Sequence, residues 1–167
     1  INILVKQWYA ALGAARLCAH RRCGSKGEKC MAYWLFKSEP GAWSWDNQVK
    51  EGVGEWDGVR NHQANNNMKA MKIGDRGFFY HSVNEKQIVG IVEIVKEHYP
   101  DHTDAKGVFG MVDIKALMPV KTPVTLAEIK AHPDLSEMFL VRHSRLSVGP
   151  VAAKEWKIIC KMAGVAA

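Results

Sequence analysis

Long apolar runs are missing from this chain of 167 residues. None approaches the roughly 20 residues that span a bilayer, so the expectation is a soluble, cytoplasmic protein without a membrane partner. Cysteine is scarce after residue 30, where Cys160 stands alone and reads as a small buried hydrophobe. That excludes a disulfide-stapled fold and fits a reducing compartment. Phosphate-binding glycine loops, dinucleotide fingerprints and nucleophile elbows are all lacking.

A broad cationic face is lacking too. The formal net charge is +6, but residues 1–30 carry six Lys/Arg and one acid, while residues 31–167 carry 17 basic and 16 acidic side chains. The nearly neutral main body cannot rely on non-specific attraction to phosphates. Any nucleic-acid contact must be local and driven by shape. Residues 1–30 have no regular period and read as a disordered or adventitious extension, with Met31 as the natural start. Their Cys18, His20, Cys23 and Cys30 lack the tight Cys-x2-Cys knuckles of zinc ribbons, so no metal is expected.

Residues 31–167 read as one domain. Tyr33 to Lys37 alternates as a strand, ended by Ser38-Glu39-Pro40-Gly41. Ser44 caps a short helix to about Lys50, which Gly52 and Gly54 end, and Asn61 caps another from His62 to about Met71. Strands follow at Phe78–Ser82, at 87–98 and at 108–118, with a tight turn at Asn84-Glu85. The middle one is apolar on both faces, which predicts burial on both sides, as in a small closed barrel. Thr125-x-x-Glu128 is a capping box. Phe139–Arg142 and Leu146–Val148 read as closing strands, and Ala152–Met162 as the last helix, with Trp156 and Ile159 on one face. The expected class is α/β in the α+β sense, a mixed barrel with short covering helices.

Catalytic sets are hard to assemble. His98 and His102 are four apart, but Pro100 lies between them. His81-Ser82 and His143-Ser144 are neighbours whose side chains point to opposite faces of a strand. The tryptophans are more informative. Trp34 and Trp45 read as core. Trp56 precedes Asp57-Gly58, where the chain turns, so its ring can sit on a cavity rim and stack on a base. Asp57, Asn61 and Ser38 can then read the base edge, or Asp57 and Asn61 can simply organise a turn and a helix cap. Arg60 can hold a phosphate or pair with Asp57 or Glu39.

YWLFKSEP, WDGVRN with Gln63-Ala64, MKAMKIGDRGFFYHS, VGIVEIV, MVDIKAL, PVTLAEIKAHP and RLSVGPV together resemble the EVE domain family, especially its small bacterial single-domain members. The resemblance runs from Met31 to Gly164. It implies a PUA-like barrel, distantly related to the YTH readers of methylated adenine. It also implies a non-enzymatic role without a cofactor: binding a modified or flipped-out base in DNA or RNA, as a monomer. By this resemblance Lys37-Ser38 and Trp56-Asp57 shape a base cage, and Tyr80-His81-Ser82 and Leu146-Ser147 line the same cleft. Glu39, Trp43, Arg60 and Asn61 complete the candidate set. The alternative role is a protein-interaction or accessory domain with a vestigial cleft. Three departures stand out. Asn65 replaces an arginine that could meet phosphate, Gly149 replaces a glutamine read as a pocket-edge amide, and Ala152 or Ala153 replaces a threonine helix cap.

Overall fold

The computed structural model describes residues 31–167. The Cys/His set of the extension lies outside the described residues. Strand β1 (Tyr33–Ser38) leads through a turn to helix α1 (Trp45–Glu51), edge strand β2 (Val53–Trp56) and helix α2 (His62–Lys69). Strands β3 (Arg76–His81), β4 (Gln87–Pro100) and β5 (Gly110–Thr125) follow. Helix α3 (Leu126–Ala131), a 3-10 turn (Pro133–Leu135), helix α4 (Phe139–Arg142), strand β6 (Val148–Val151) and helix α5 (Ala153–Met162) complete the domain.

The six strands form one mixed sheet in the order β2-β5-β4-β3-β1-β6, with β1 parallel to β3 and the other ladders antiparallel. The two end strands do not pair with each other, so the expected closed barrel is an open sheet. The reason lies in the apolar strands themselves. Burial on both faces was read as a barrel wall, but here a separate layer covers each face. Leu35, Phe78, Ile88 and Ile91 pack on one side with Ile129, Leu140 and Trp156 from α3, α4 and α5. Trp34, Phe36, Phe79 and Val92 pack on the other with Ala64 and Met68 of α2. Repeated register shifts along the β4–β5 ladder bend the sheet.

Local chemistry sets most helix starts. The Ser44 side chain accepts from Asn47 N–H, the Asn61 side chain from Gln63 and Ala64 N–H, and Thr125 with Glu128 forms the expected capping box. Three local expectations fail. Phe139–Arg142 is helix rather than strand, and β6 begins at Val148 rather than Leu146. A four-residue apolar run carries no period that separates the two states. Strand β2 had been read as a helix stop because Gly52 and Gly54 bracket Val53. Yet it alternates exposed and buried side chains and pairs with Val112–Lys115 of β5.

At the start of α5, Glu155 accepts from Ala152 N–H at 2.8 Å, but Ala152 offers no side-chain acceptor in return. Its backbone is already extended, as an N-cap requires. Ala152→Ser is therefore expected to stabilise the domain by about 1 kcal/mol. The check is a higher urea midpoint at unchanged slope; a midpoint at or below wild type contradicts the expectation.

Candidate binding cleft

One cleft of about 840 Å³ opens where β1 ends. Its walls come from Lys37, Ser38, Glu39 and Trp43 on one side and from Glu51, β2 and the Asp57–Arg60 segment on the other, with Ser147 closing the rim. Pro40 and the bonds from Ala42 and Trp43 N–H to Glu39 O fold the chain back at the end of β1. The Ser38 hydroxyl donates to Trp43 O at 2.6 Å, which fixes the indole backbone and leaves Ser38 Oγ with acceptor capacity. Trp43 Nε1 donates to Gln48 Oε1 at 3.0 Å.

Trp56 is the inner aromatic. Only 9% of it is exposed, and it meets Phe36 and Phe79 edge-to-face at 5.1 and 5.9 Å. It is at once part of the core and part of the cleft floor. Trp34 and Trp45, by contrast, are core alone. After Trp56 the chain turns at Gly58, whose φ of 70° is a left-handed conformation that a side chain would disfavour. That turn leaves Asp57 exposed, with no hydrogen-bond partner among the described residues.

Arg60 pairs with neither Asp57 nor Glu39. It donates to Asp101 Oδ2 at 2.7 Å and to Thr103 Oγ1 at 2.8 Å. Asp101 was absent from the candidate set, yet its side chain is wholly buried and fastens the cleft loop. It accepts from Gly58 N–H at 3.0 Å and from Thr103 N–H and Oγ–H at 2.7 and 2.6 Å. Burial pushes the Asp101 carboxyl up, but hydrogen bonds from Thr103, Arg60 and Gly58 outweigh it and hold the group well below the usual carboxylate range. No short motif could have revealed it, since Arg60 and Asp101 lie far apart in the chain.

Lys37 is a support as much as a wall. Its Nζ donates to His143 O at 2.7 Å and lies 5.6 Å from the centre of the Phe139 ring. Burial pushes its ammonium down to about 8. Five candidates do not line the cleft. Asn61 is occupied as the cap of α2. Tyr80 and Leu146 belong to the core on the opposite face of the sheet. Ser82 ties the end of β3 to Ser38 O. His81 Nε2 accepts from Trp45 N–H at 2.9 Å, so its Nδ1 carries the proton and donates to Glu85 Oε2 at 2.6 Å. That bond holds Glu85 below the usual carboxylate range. Both ring nitrogens of His81 are occupied, which leaves no free base there. Sequence reasoning missed Glu51 at the end of α1 and Val53, Gly54 and Glu55 of β2; the signal for the last three is the alternation within β2.

The EVE domain pattern matches residues 32–162. The chain belongs to the EVE domain family. Thymocyte nuclear protein 1 from human is 32% identical over 170 residues, covering 78% of this chain and 73% of that protein, and the chicken protein is 34% identical with 83% and 72% covered. Among solved structures, a Rhodopseudomonas palustris protein is 60% identical at a TM-score of 0.77, with 80% of this chain and 94% of that one covered. The human THYN1 protein, solved in complex with DNA containing 5-methylcytosine, is 31% identical at a TM-score of 0.73, with 81% and 99% covered. An ASCH protein from Zymomonas mobilis shares the fold at 10% identity and a TM-score of 0.51. The fold is thus the PUA-like mixed α+β class of the EVE family.

Two departures from the family pattern take on a different meaning in this EVE domain. Asn65 is buried, and its Oδ1 accepts from Gly110 N–H at 3.0 Å and meets His98 Nε2 at 2.9 Å. It is a joint between α2 and the β4–β5 hairpin. Gly149 does not border the cleft. A Cβ there would lie 2.1 Å from Phe139 Cζ, so the small residue admits the Phe139 ring. Among the described residues no helix is long and apolar enough to cross a membrane, and no group of three metal-ligating side chains occurs.

Proposed function

We propose that this EVE domain binds a single modified nucleobase in its cleft, taken from a DNA or RNA strand, without chemical change to the base. The observation that carries the reading is the pairing of two tryptophans with an uncommitted carboxylate: Trp43 and Trp56 line the same cleft as Asp57. A flat ring gains from stacking on an indole whatever the net charge of the protein. Asp57, which accepts only, fits an exocyclic amine on the base edge, and Ser38 Oγ offers a second acceptor. Cytosine and adenine carry such amines, so the cleft favours their derivatives over uracil or thymine. The human relative crystallised with 5-methylcytosine DNA supports cytosine derivatives as the first to test.

Trp43→Ala and Trp56→Ala are each expected to weaken binding of a 5-methylcytosine oligonucleotide by roughly 1–3 kcal/mol, the range for one base–aromatic stack. Trp43 is the cleaner probe, since it is half-buried whereas Trp56 is also core. Asp57→Asn should change preference among bases more than overall affinity, because an amide also donates. Titration with oligonucleotides differing only in the test base reads both effects. Wild-type affinity in Trp43→Ala and Trp56→Ala alike would remove the cleft from the binding mechanism.

A further inference from the structure

The cleft is electrically lopsided. Glu39, Glu51, Glu55 and Asp57 line it against Lys37 and Arg60. Arg60 is already neutralised by Asp101, and Lys37 is tied to the backbone of the loop that follows α4. A phosphodiester passing over β2 would meet the carboxylates of Glu51, Glu55 and Asp57, and neither Lys37 nor Arg60 of the cleft lining is free to offset them. The opposite rim differs. The end of α4 and the segment that follows it present Arg142, His143 and Arg145 to solvent just before Ser147, which lines the cleft.

We infer that this loop, through Arg142 and Arg145, is the phosphate-contacting rim of the domain, so that a bound strand runs over the α4–β6 side of the cleft and turns its base toward the acidic β2 side. Three observations support the placement. First, the loop is held in register with the cleft: Lys37 N–H donates to Ser147 O at 2.8 Å, while Lys37 Nζ donates to His143 O at 2.7 Å and lies 3.4 Å from Ser144 O. Second, its cations are available. Arg145 makes no hydrogen bond or ion pair among the described residues. Among the described residues the Arg142 side chain meets only Glu137, at 3.5 Å, and both side chains are more than half exposed. An exposed pair of that kind contributes little and yields to a phosphate. Third, the reach is short. Arg145 precedes Ser147 by two residues, so their Cα atoms are at most about 7 Å apart. The arginine fork suits a phosphate in two-point contact.

The inference rests on the cleft reading, and the test separates the two. Wild type and the double variant Arg142→Glu/Arg145→Glu are titrated with two probes at about 50 and 200 mM salt. One probe is the nucleoside 5-methyl-2′-deoxycytidine, which has no phosphate. The other is single-stranded DNA carrying one 5-methylcytosine. The double variant is expected to bind the nucleoside like wild type, but the oligonucleotide at least about tenfold more weakly at the lower salt. Its slope of log affinity against log salt should be shallower by about 1.4, the value for two phosphate contacts on a single strand. Arg142→Lys/Arg145→Lys, which keeps the charges, should retain most of the slope. Equal oligonucleotide affinity and slope in wild type and the Glu variant, with nucleoside binding intact, overturns the rim and leaves the cleft standing. Loss of nucleoside binding in the Glu variant also overturns it, since the loop would then act on the cleft itself. A wild type that takes up neither probe overturns both readings.

Discussion

Trp156→Ala is expected to destabilise the domain by about 3–5 kcal/mol, the cost of removing a large aromatic from a packed core. The ring is fully buried and lies between Tyr33 and Phe78, at centroid distances of 4.4 and 4.1 Å and interplanar angles of 16° and 22°. The stack joins α5 to β1 and β3, so its loss loosens the sheet on the face away from the cleft. Among the described residues Trp156 Nε1 has no hydrogen-bond partner, and truncation therefore forfeits packing alone. That gives the prediction a second arm. Trp156→Phe keeps a ring in the stack and removes a buried N–H that has no partner, so its cost should stay within about 1.5 kcal/mol. Urea unfolding of both variants decides. If Trp156→Phe costs as much as Trp156→Ala, the indole nitrogen is engaged and the packing account is wrong.

Asp101→Asn is expected to cost roughly 2–4 kcal/mol and to loosen the cleft. The carboxylate serves Arg60, Gly58 and Thr103 together from a fully buried position. An amide presents donors to some of these donors, and the lost charge leaves Arg60 without its partner. The acid dependence follows from linkage. The folded carboxyl is held below its unfolded value, so the folded state binds fewer protons. Its contribution is complete above the unfolded value of about 4 and is lost as pH falls further, through the folded value. The wild-type stability should therefore drop more steeply below about pH 4 than that of Asp101→Asn, with the two curves converging in acid. Parallel acid limbs would show that Asp101 is not the group that titrates. Because Asp101 also anchors Gly58, the variant should bind a 5-methylcytosine oligonucleotide more weakly even where it remains folded, which titration at neutral pH measures.

The features legible in the sequence are those whose cause is local. Ser44, Asn61 and Thr125 start helices because a side chain reaches a backbone N–H two or three residues on, whatever the rest of the fold does. The alternation of Tyr33–Lys37 and the two-sided apolar run of β4 foretold strands and burial on both faces. Family-specific blocks reached further, and eight of the candidate residues, from Lys37 to Ser147, do meet in one cleft.

Tertiary structure decided the remainder. Alternation says that Tyr80 and His81 face opposite ways, but not which face carries the cleft; the helices that cover each face settle that, and Tyr80 falls among the core residues of the other side. Phe139–Arg142 became a helix because Phe139 and Leu140 are buried together against the sheet, with Gly149 admitting the Phe139 ring. Whether the strands closed into a barrel depended on what covers both faces, which no single strand encodes. Arg60 took Asp101 rather than the nearer Asp57 because the β4–β5 hairpin delivers a buried carboxylate to the turn at Gly58. Local hydrogen bonds and periodicity act within a few residues and survive in the linear chain. Ion pairs and cavities form between segments that only folding brings together, and so they arise with the tertiary structure.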